Sequence, residues 1–297
     1  MMPVSLPSSP LLSPLPDLML EPLVRAGLLE DLGCGGDLTT DALAVPGRMA
    51  HAALVARQEG VIAGLSLARL AFTLLDPSVR FAVERPDGSA VAPGTRIARI
   101  SGPAAAVLGG ERVALNFLSH LSGIATATAG IVRAVADTRA RVCCTRKTLP
   151  GLRAIQKYAV RAGGGSNHRF RLDDAIMIKD NHIALAGGDV GRALAAARAR
   201  AGHLVSIELE VDTLDQLDAA LRVGGADAYL LDNMAPAQLR RAVAMVDGRA
   251  LTEASGGITP DTAPAIAATG VDILSVGWLT HTVRALDIGL DDDPGAA

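Results

Sequence analysis

VSIELEVDTLDQLDAALRVGGADAYLLDNMAPAQLRRAVAMVDGRALTEASGG, residues 205–257, holds the repeat that decides the fold. Short apolar runs at Val205–Glu210, Ala228–Leu231 and Ala250–Ala254 alternate with helical patterns at Leu214–Val223 and Pro236–Val246. A strand, a crossover helix and a second strand return the chain in the same direction, so such units build a parallel sheet with helices covering it. Further strands are expected at Arg141–Thr145, Ala175–Lys179 and Asp272–Val276, and helices at Gly151–Arg161, Val190–Ala201 and Pro260–Ala268. Either an open doubly wound sheet or a barrel would satisfy this pattern. The strand ends favour a barrel, because each closes on polar or glycine residues: Arg146-Lys147, Lys179-Asp180, Glu208 with Glu210, Asp232-Asn233, Ser255-Gly256-Gly257 and Gly277. In a barrel the carboxyl ends of all strands converge on one mouth, where these clusters would face a common ligand.

The chain before residue 140 reads differently. Prolines at 3, 10, 14 and 16 break any regular pattern, so residues 1–16 are expected to be a flexible leader. A helix is expected at Asp17–Leu29, then a turn-rich stretch at Gly33–Thr40. Alternating segments at Ala50–Arg57, Val79–Val83 and Arg96–Ile100, with an amphipathic helix at Leu65–Leu75, indicate a small α+β domain. Helical periodicity at Gly110–Ser122 and again at Thr126–Ala136 connects it to the next domain. The expected division is therefore 17–125 for the α+β domain, 126–290 for the βα-repeat domain and 291–297 for an acidic tail.

Composition narrows the function classes. The 297 residues are 49% hydrophobic and 20% charged, a globular balance, while aromatics at 2% leave the core to Ala, Val, Leu and Ile. A net charge of -3, with no basic stripe and few aromatics, argues against nucleic-acid binding. No segment is expected to supply the ~18 uncharged apolar residues of a membrane span. Cys34, Cys143 and Cys144 show no metal-finger spacing; the adjacent pair falls in an expected buried strand, which suits reduced, cytoplasmic usage. Neither a GxGxxG nor a GxxxxGK[ST] motif is present.

The expected mouth gathers Arg146, Lys147, His168, Arg169 and Lys179 with the carboxylates Glu210 and Asp232. So many cations in a mildly acidic protein suit an anionic substrate held through charge-assisted contacts. The turns Ser255-Gly256-Gly257 and Ser275-Val276-Gly277 stand where unpaired backbone N–H groups at helix starts would bind phosphate. Glu208 and Glu210 flank Leu209 and share one strand face, where they would meet ribose hydroxyls or a hydrated Mg2+, or where one of them would pair with a neighbouring basic residue. A Schiff-base lyase using Lys179 and a non-catalytic sugar-phosphate binder remain open on these residues alone.

Thr145-Arg146-Lys147-Thr148-Leu149-Pro150-Gly151-Leu152-Arg153, Gly163 to Arg169 (GGGSNHR) and Ile178-Lys179-Asp180-Asn181-His182 carry a resemblance. With Glu111 to Asn116 (ERVALN), Glu208-Leu209-Glu210-Val211-Asp212, Leu231-Asp232-Asn233 and Glu253 to Ile258 (EASGGI), they resemble the quinolinate phosphoribosyltransferases from about Glu30 to Asp287. The resemblance implies an open-faced α+β sandwich followed by an incomplete parallel α/β barrel of six or seven strands. It implies the conversion of quinolinate and phosphoribosyl pyrophosphate into nicotinate mononucleotide, pyrophosphate and carbon dioxide for NAD biosynthesis. It also implies Mg2+ bound with the pyrophosphate, largely through water, and a homodimer or dimer-based hexamer with the active site at the subunit interface. Arg146, His168, Arg169 and Lys179, with Arg112 of the partner subunit, would hold quinolinate. Lys147, Glu210 and Asp232 would be catalytic and would contact phosphoribosyl pyrophosphate, joined by Ser255, Gly256, Gly257, Ser275, Gly277 and His281. No residue is expected to be a dedicated metal ligand. Two positions depart from the family pattern: Arg171 stands where glycine is usual, and Trp278 follows Gly277 where a small residue is common.

Overall fold

The protein is described as a computed structural model over residues 12–43 and 47–293. Most of the expected leader, residues 1–11, and the last four residues of the expected tail lie outside the described residues. The described residues fold as two compact units, one drawn from within 1–129, 154–164 and 282–297 and the other from 130–153 and 165–281.

The first unit opens with α1 (Asp17–Leu32), whose Leu20, Val24 and Leu28 recur every fourth residue and are buried. α2 (Leu38–Ala42) occupies the expected turn-rich stretch, because Asp37 caps it through the backbone N–H groups of Thr39 and Thr40. Next come β1 (Met49–Ala56), β2 (Gly60–Val61), α3 (Leu65–Thr73), β3 (Arg80–Val83), β4 (Ala90–Val91) and β5 (Arg96–Pro103). β2 and β4 form a small ribbon. α4 (Ala104–Ala134) is one continuous helix where two were expected. Gly123 reads as a break in sequence, but it is a packing position: a Cβ there would stand 2.2 Å from the Arg284 carbonyl oxygen.

Between Arg112 and Arg133, α4 carries no Asp, Glu, Lys or Arg, a longer uncharged run than the sequence reading allowed. By length and composition it is the one helix among the described residues that passes for a membrane span. Its Ala114, Leu118, Leu121, Ile124 and Ala125 are buried, and Ser122 and Thr126 accept the backbone N–H groups of Ala63 and Val61. α4 is thus packed as the core helix of this unit.

The second unit holds β6 (Arg141–Cys143); α5 (Arg153–Ala162) follows in sequence but belongs almost wholly to the first unit. Then come β7 (Ile176–Ile178), α6 (Asp180–Leu185), α7 (Val190–Arg200), β8 (Ile207–Val211), α8 (Leu214–Val223), β9 (Ala228–Asp232), α9 (Pro236–Val246), β10 (Leu251–Ser255), α10 (Ala263–Ala267) and β11 (Ile273–Ser275). The six strands pair in parallel in the order β6-β11-β10-β9-β8-β7. Beyond β6, Ser166 makes an isolated parallel bridge to Cys143. The sheet curls as an incomplete barrel that does not close.

The chain ends with β12 (Ile288–Asp292), which pairs antiparallel with β1 in the first unit's sheet, of order β12-β1-β5-β3. Asp291 and Asp292, expected in an acidic tail, are therefore strand residues opposite Ala53 and Ala52. Arg57 forms an ion pair with Asp291, which favours a paired strand over a free tail.

Candidate active site

Register in the parallel sheet sets which side chains meet. Ser255 stands opposite both Asp232 and Ser275, and Glu253 opposite Leu230 and Ile273. Glu210 is in turn opposite Leu230. Side chains two apart share a face, so Glu253 with Ser255, Leu230 with Asp232, and Glu208 with Glu210 all point to one side. On that side lies a cavity of about 400 Å³ whose wall contains Arg146, Lys147, His168, Arg169, Lys179, Glu210, Asp232, Ser255 and Ser275. Thr145, Met177, Leu230 and Glu253 complete it.

Lys179 ends the strand-like run of β7, and its Nζ donates to Glu210 Oε2 at 2.6 Å within the cavity wall. Of the alternatives the sequence left open for Glu208 and Glu210, pairing with a neighbouring basic residue is thus the one seen for Glu210. Lys147 follows β6, where the Thr145 hydroxyl accepts its backbone N–H at 3.0 Å. Its side chain passes over Gly277, where a Cβ would come within 2.9 Å of Lys147 Cδ. Arg169 donates to the Ala175 carbonyl at 2.8 Å. Its guanidinium is pushed below the ordinary arginine range, first by burial and then by the neighbouring charge of Arg146, against the pull of Glu208 and Asp174. Two guanidinium groups confined together favour a ligand of negative charge.

Beneath them sits a buried polar cluster. His168 Nδ1 accepts the Arg169 backbone N–H at 2.9 Å, so Nε2 faces Glu208 at 2.9 Å and Glu253 at 3.6 Å as the proton-bearing nitrogen. Both ring nitrogens thus contact protein groups, although His168 also lines the cavity. Ser275 donates to Glu253, whose carboxyl is pushed up to about 7 by burial and by Glu208. Sequence reasoning left Glu253 out of the site. The signal was present: it lies two residues before Ser255 on the same strand face. These three groups could crowd around a cation, since one ligand atom from each lies within 4.8 Å of the others. Their hydrogen bonds to one another and to Ser275 already account for the arrangement.

Five expected residues stand outside the cavity wall. Gly256 and Gly257 lie on the turn after β10 with φ of +95° and +60°, a left-handed conformation that glycine adopts without strain. The Asn233 side chain fills the place of a Gly256 Cβ, at 2.0 Å. α10 begins only at Ala263, so these glycines form a free-standing turn and not the helix start that the sequence suggested. Gly277 opens a 3₁₀ turn, Gly277–Thr280, and His281 follows it, exposed. Arg112 is exposed on α4, in the first unit, and is not among the residues that this cavity gathers. Arg171 is exposed, with its backbone N–H on Asp174, and is not in the wall either.

Comparison with known proteins agrees with this geometry. Residues 37–122 match the family model described as quinolinate phosphoribosyl transferase, N-terminal domain, and residues 124–291 match its C-terminal domain. The chain is 47% identical over 274 residues to the probable nicotinate-nucleotide pyrophosphorylase [carboxylating] of Bacillus subtilis (strain 168), covering 92% of this chain and 93% of that one. It is 47% identical over 275 residues to the corresponding protein of Mycobacterium leprae (strain TN), covering 90% and 95%. The crystal structure of NadC from Streptococcus pyogenes superposes with a TM-score of 0.90 at 41% identity, covering 94% of this chain and 98% of that one. With both domain models matched in order and relatives similar over nearly their whole length, the chain belongs to the quinolinate phosphoribosyltransferase family.

Proposed function

We infer that the protein transfers the phosphoribosyl group of phosphoribosyl pyrophosphate to quinolinate, giving nicotinate mononucleotide, pyrophosphate and carbon dioxide in NAD biosynthesis. One observation carries this reading beyond the family: a single cavity wall sets Arg146, Lys147, Arg169 and Lys179 against Glu210 and Asp232. A pyridine dicarboxylate and a polyphosphate are both anions, and both need cations held in place before they arrive.

In this reading Arg146, Arg169 and Lys179, with His168, receive the two carboxylates of quinolinate, and Arg112 of the partner subunit adds a further cation in a homodimer or dimer-based hexamer. The exposure of Arg112 on α4 suits such a contact. Lys147 stands between quinolinate and the departing pyrophosphate. Ser255, Gly256, Gly257, Ser275, Gly277 and His281 receive the 5′-phosphate end. Mg2+ would come with the pyrophosphate substrate, largely through water, and the carboxylates of Glu210 and Asp232 would offer the oxygen donors that a hard cation takes.

Breaking the bond from C1 of the ribose to pyrophosphate leaves positive charge on the sugar ring. Glu210 and Asp232 lower its energy from fixed positions. The pyridine nitrogen bonds to C1, the ring becomes cationic, and it accepts the electron pair released as the adjacent carboxylate leaves as carbon dioxide. A proton then fills the vacated ring carbon. No side chain forms a covalent bond, so orientation and charge supply the rate. A cytoplasmic setting suits the two buried cysteines, Cys143 and Cys144.

The test is an assay of purified protein with quinolinate, phosphoribosyl pyrophosphate and Mg2+, following nicotinate mononucleotide and carbon dioxide. Product is expected from the wild type, and Arg146→Ala is expected to lose at least about 100-fold in kcat/KM for quinolinate, the scale of a buried charge contact removed. Absence of product with phosphoribosyl pyrophosphate still bound would reject quinolinate as the base.

A further inference from the structure

The sole tryptophan directly follows Gly277. Trp278 lies in the 3₁₀ turn Gly277–Thr280 after β11, half-buried, and its indole Nε1–H donates to the carbonyl oxygen of Ile258 at 2.8 Å. Ile258 directly follows the Gly256-Gly257 turn and its side chain is buried. From the same 3₁₀ turn, the buried Thr280 hydroxyl donates to the Lys147 carbonyl oxygen at 2.6 Å. One four-residue turn is therefore tied on one side to the loop after β6 and on the other to the loop after β10.

These ties matter because of what they hold. Gly256 and Gly257 carry positive φ and no side chains, so the backbone of this turn is intrinsically loose. One side of it is fixed by Asn233, which fills the space beside Gly256 and donates its backbone N–H to the Ser255 carbonyl at 2.9 Å. The other side is fixed by the Trp278 indole on Ile258. An anion site made of backbone N–H groups binds well only when they are held in advance, since otherwise the ligand must supply the ordering free energy.

We propose that Trp278 is a positioning residue for the phosphoribosyl half of the site: its indole N–H holds the Gly256-Gly257 turn in its phosphate-receiving shape while Thr280 holds the Lys147 loop. This rests on the reading given above that those glycines receive the 5′-phosphate. Trp278 is not among the residues that line the cavity, so its effect is expected on phosphoribosyl pyrophosphate, through the turn it holds, and not on quinolinate.

Two measurements test it. In Trp278→Phe, which keeps an aromatic ring and removes the donor, KM for phosphoribosyl pyrophosphate is expected to rise about fivefold, the worth of one net hydrogen bond, while KM for quinolinate stays within about twofold. In the wild type, the lone tryptophan is expected to change its fluorescence as phosphoribosyl pyrophosphate is titrated in, and to remain unchanged with quinolinate alone. An unchanged KM for phosphoribosyl pyrophosphate in a folded Trp278→Phe, equal rises in both KM values, or a wild-type fluorescence that ignores phosphoribosyl pyrophosphate would each overturn the proposal. Should the variant not fold, the wild-type titration decides alone. Failure of the underlying functional reading looks different: no product forms from quinolinate, whatever the fluorescence does.

Discussion

At the scale of single residues, Glu253 has the most pronounced electrostatic signature in the active-site domain. It is 2% exposed, accepts from Ser275 and lies beside Glu208, and its carboxyl is pushed from an ordinary 4.5 up to about 7 by burial and by that neighbour. The folded state therefore holds this proton more tightly than the unfolded chain does. Its contribution to stability is fully present below about pH 4.5 and is lost as pH climbs to about 7. Glu253→Gln, which is neutral throughout, is expected to gain melting temperature relative to the wild type between about pH 5 and about pH 8, by at least about 2 °C. Parallel melting curves for the two proteins across that range would contradict this account. Residue-scale chemistry was largely legible in the sequence where it sat in polar strand-end clusters, as with Arg146, Lys147, Lys179, Glu210 and Asp232. Glu253 escaped because it lies inside an apolar run, where a charged residue reads as an interruption and not as an inward-facing group.

At the scale of elements, α5 shows how polar contacts can seat a helix that apolar contacts alone would leave free to slide. Tyr158 donates to Asp87 at 2.7 Å, and the other oxygen of Asp87 accepts the Leu65 backbone N–H at the start of α3, at 3.2 Å. Burial raises the Asp87 carboxyl above its usual range and raises the Tyr158 hydroxyl as well, so each depends on the other for a partner. Tyr158→Phe is expected to cost about 1–2 kcal/mol in urea unfolding, because it leaves the half-buried Asp87 one bond short. A cost near zero would mean that water replaces the hydroxyl. Most elements were legible from period alone: α1, α3, α7, α8 and α9 fall within a few residues of expectation. α6 and β12 were not. α6 is a single short turn-like helix in which His182 Nδ1 accepts the Lys179 backbone N–H at 3.0 Å, a local device with no apolar stripe to announce it. β12 owes its strand form to pairing with β1, near the other end of the chain, and such non-local pairing leaves no local trace.

At the scale of the whole molecule, sequence order and spatial grouping part company. The sequence suggested successive domains, whereas the first unit takes chain from three separated stretches. Its last stretch is held by the Leu286 backbone N–H on the Ser119 carbonyl at 2.9 Å, by the close approach of Arg284 to Gly123, and by β12 along β1. Ending the chain after His281 is expected to lower the melting temperature and to promote association, since β1 would become an unpaired edge. A truncated protein that melts like the full chain and stays monodisperse in light scattering would contradict this.

The position of β12 also has a meaning in time. A ribosome delivers the amino end first, so β1, β5 and β3 emerge together and can pair early. The strand that covers the open side of β1 is made only after all six strands of the parallel sheet have been synthesised. Throughout that interval the nascent chain exposes a half-finished sheet to its neighbours in the cell, the period when chaperones act and when a translational pause would do most harm.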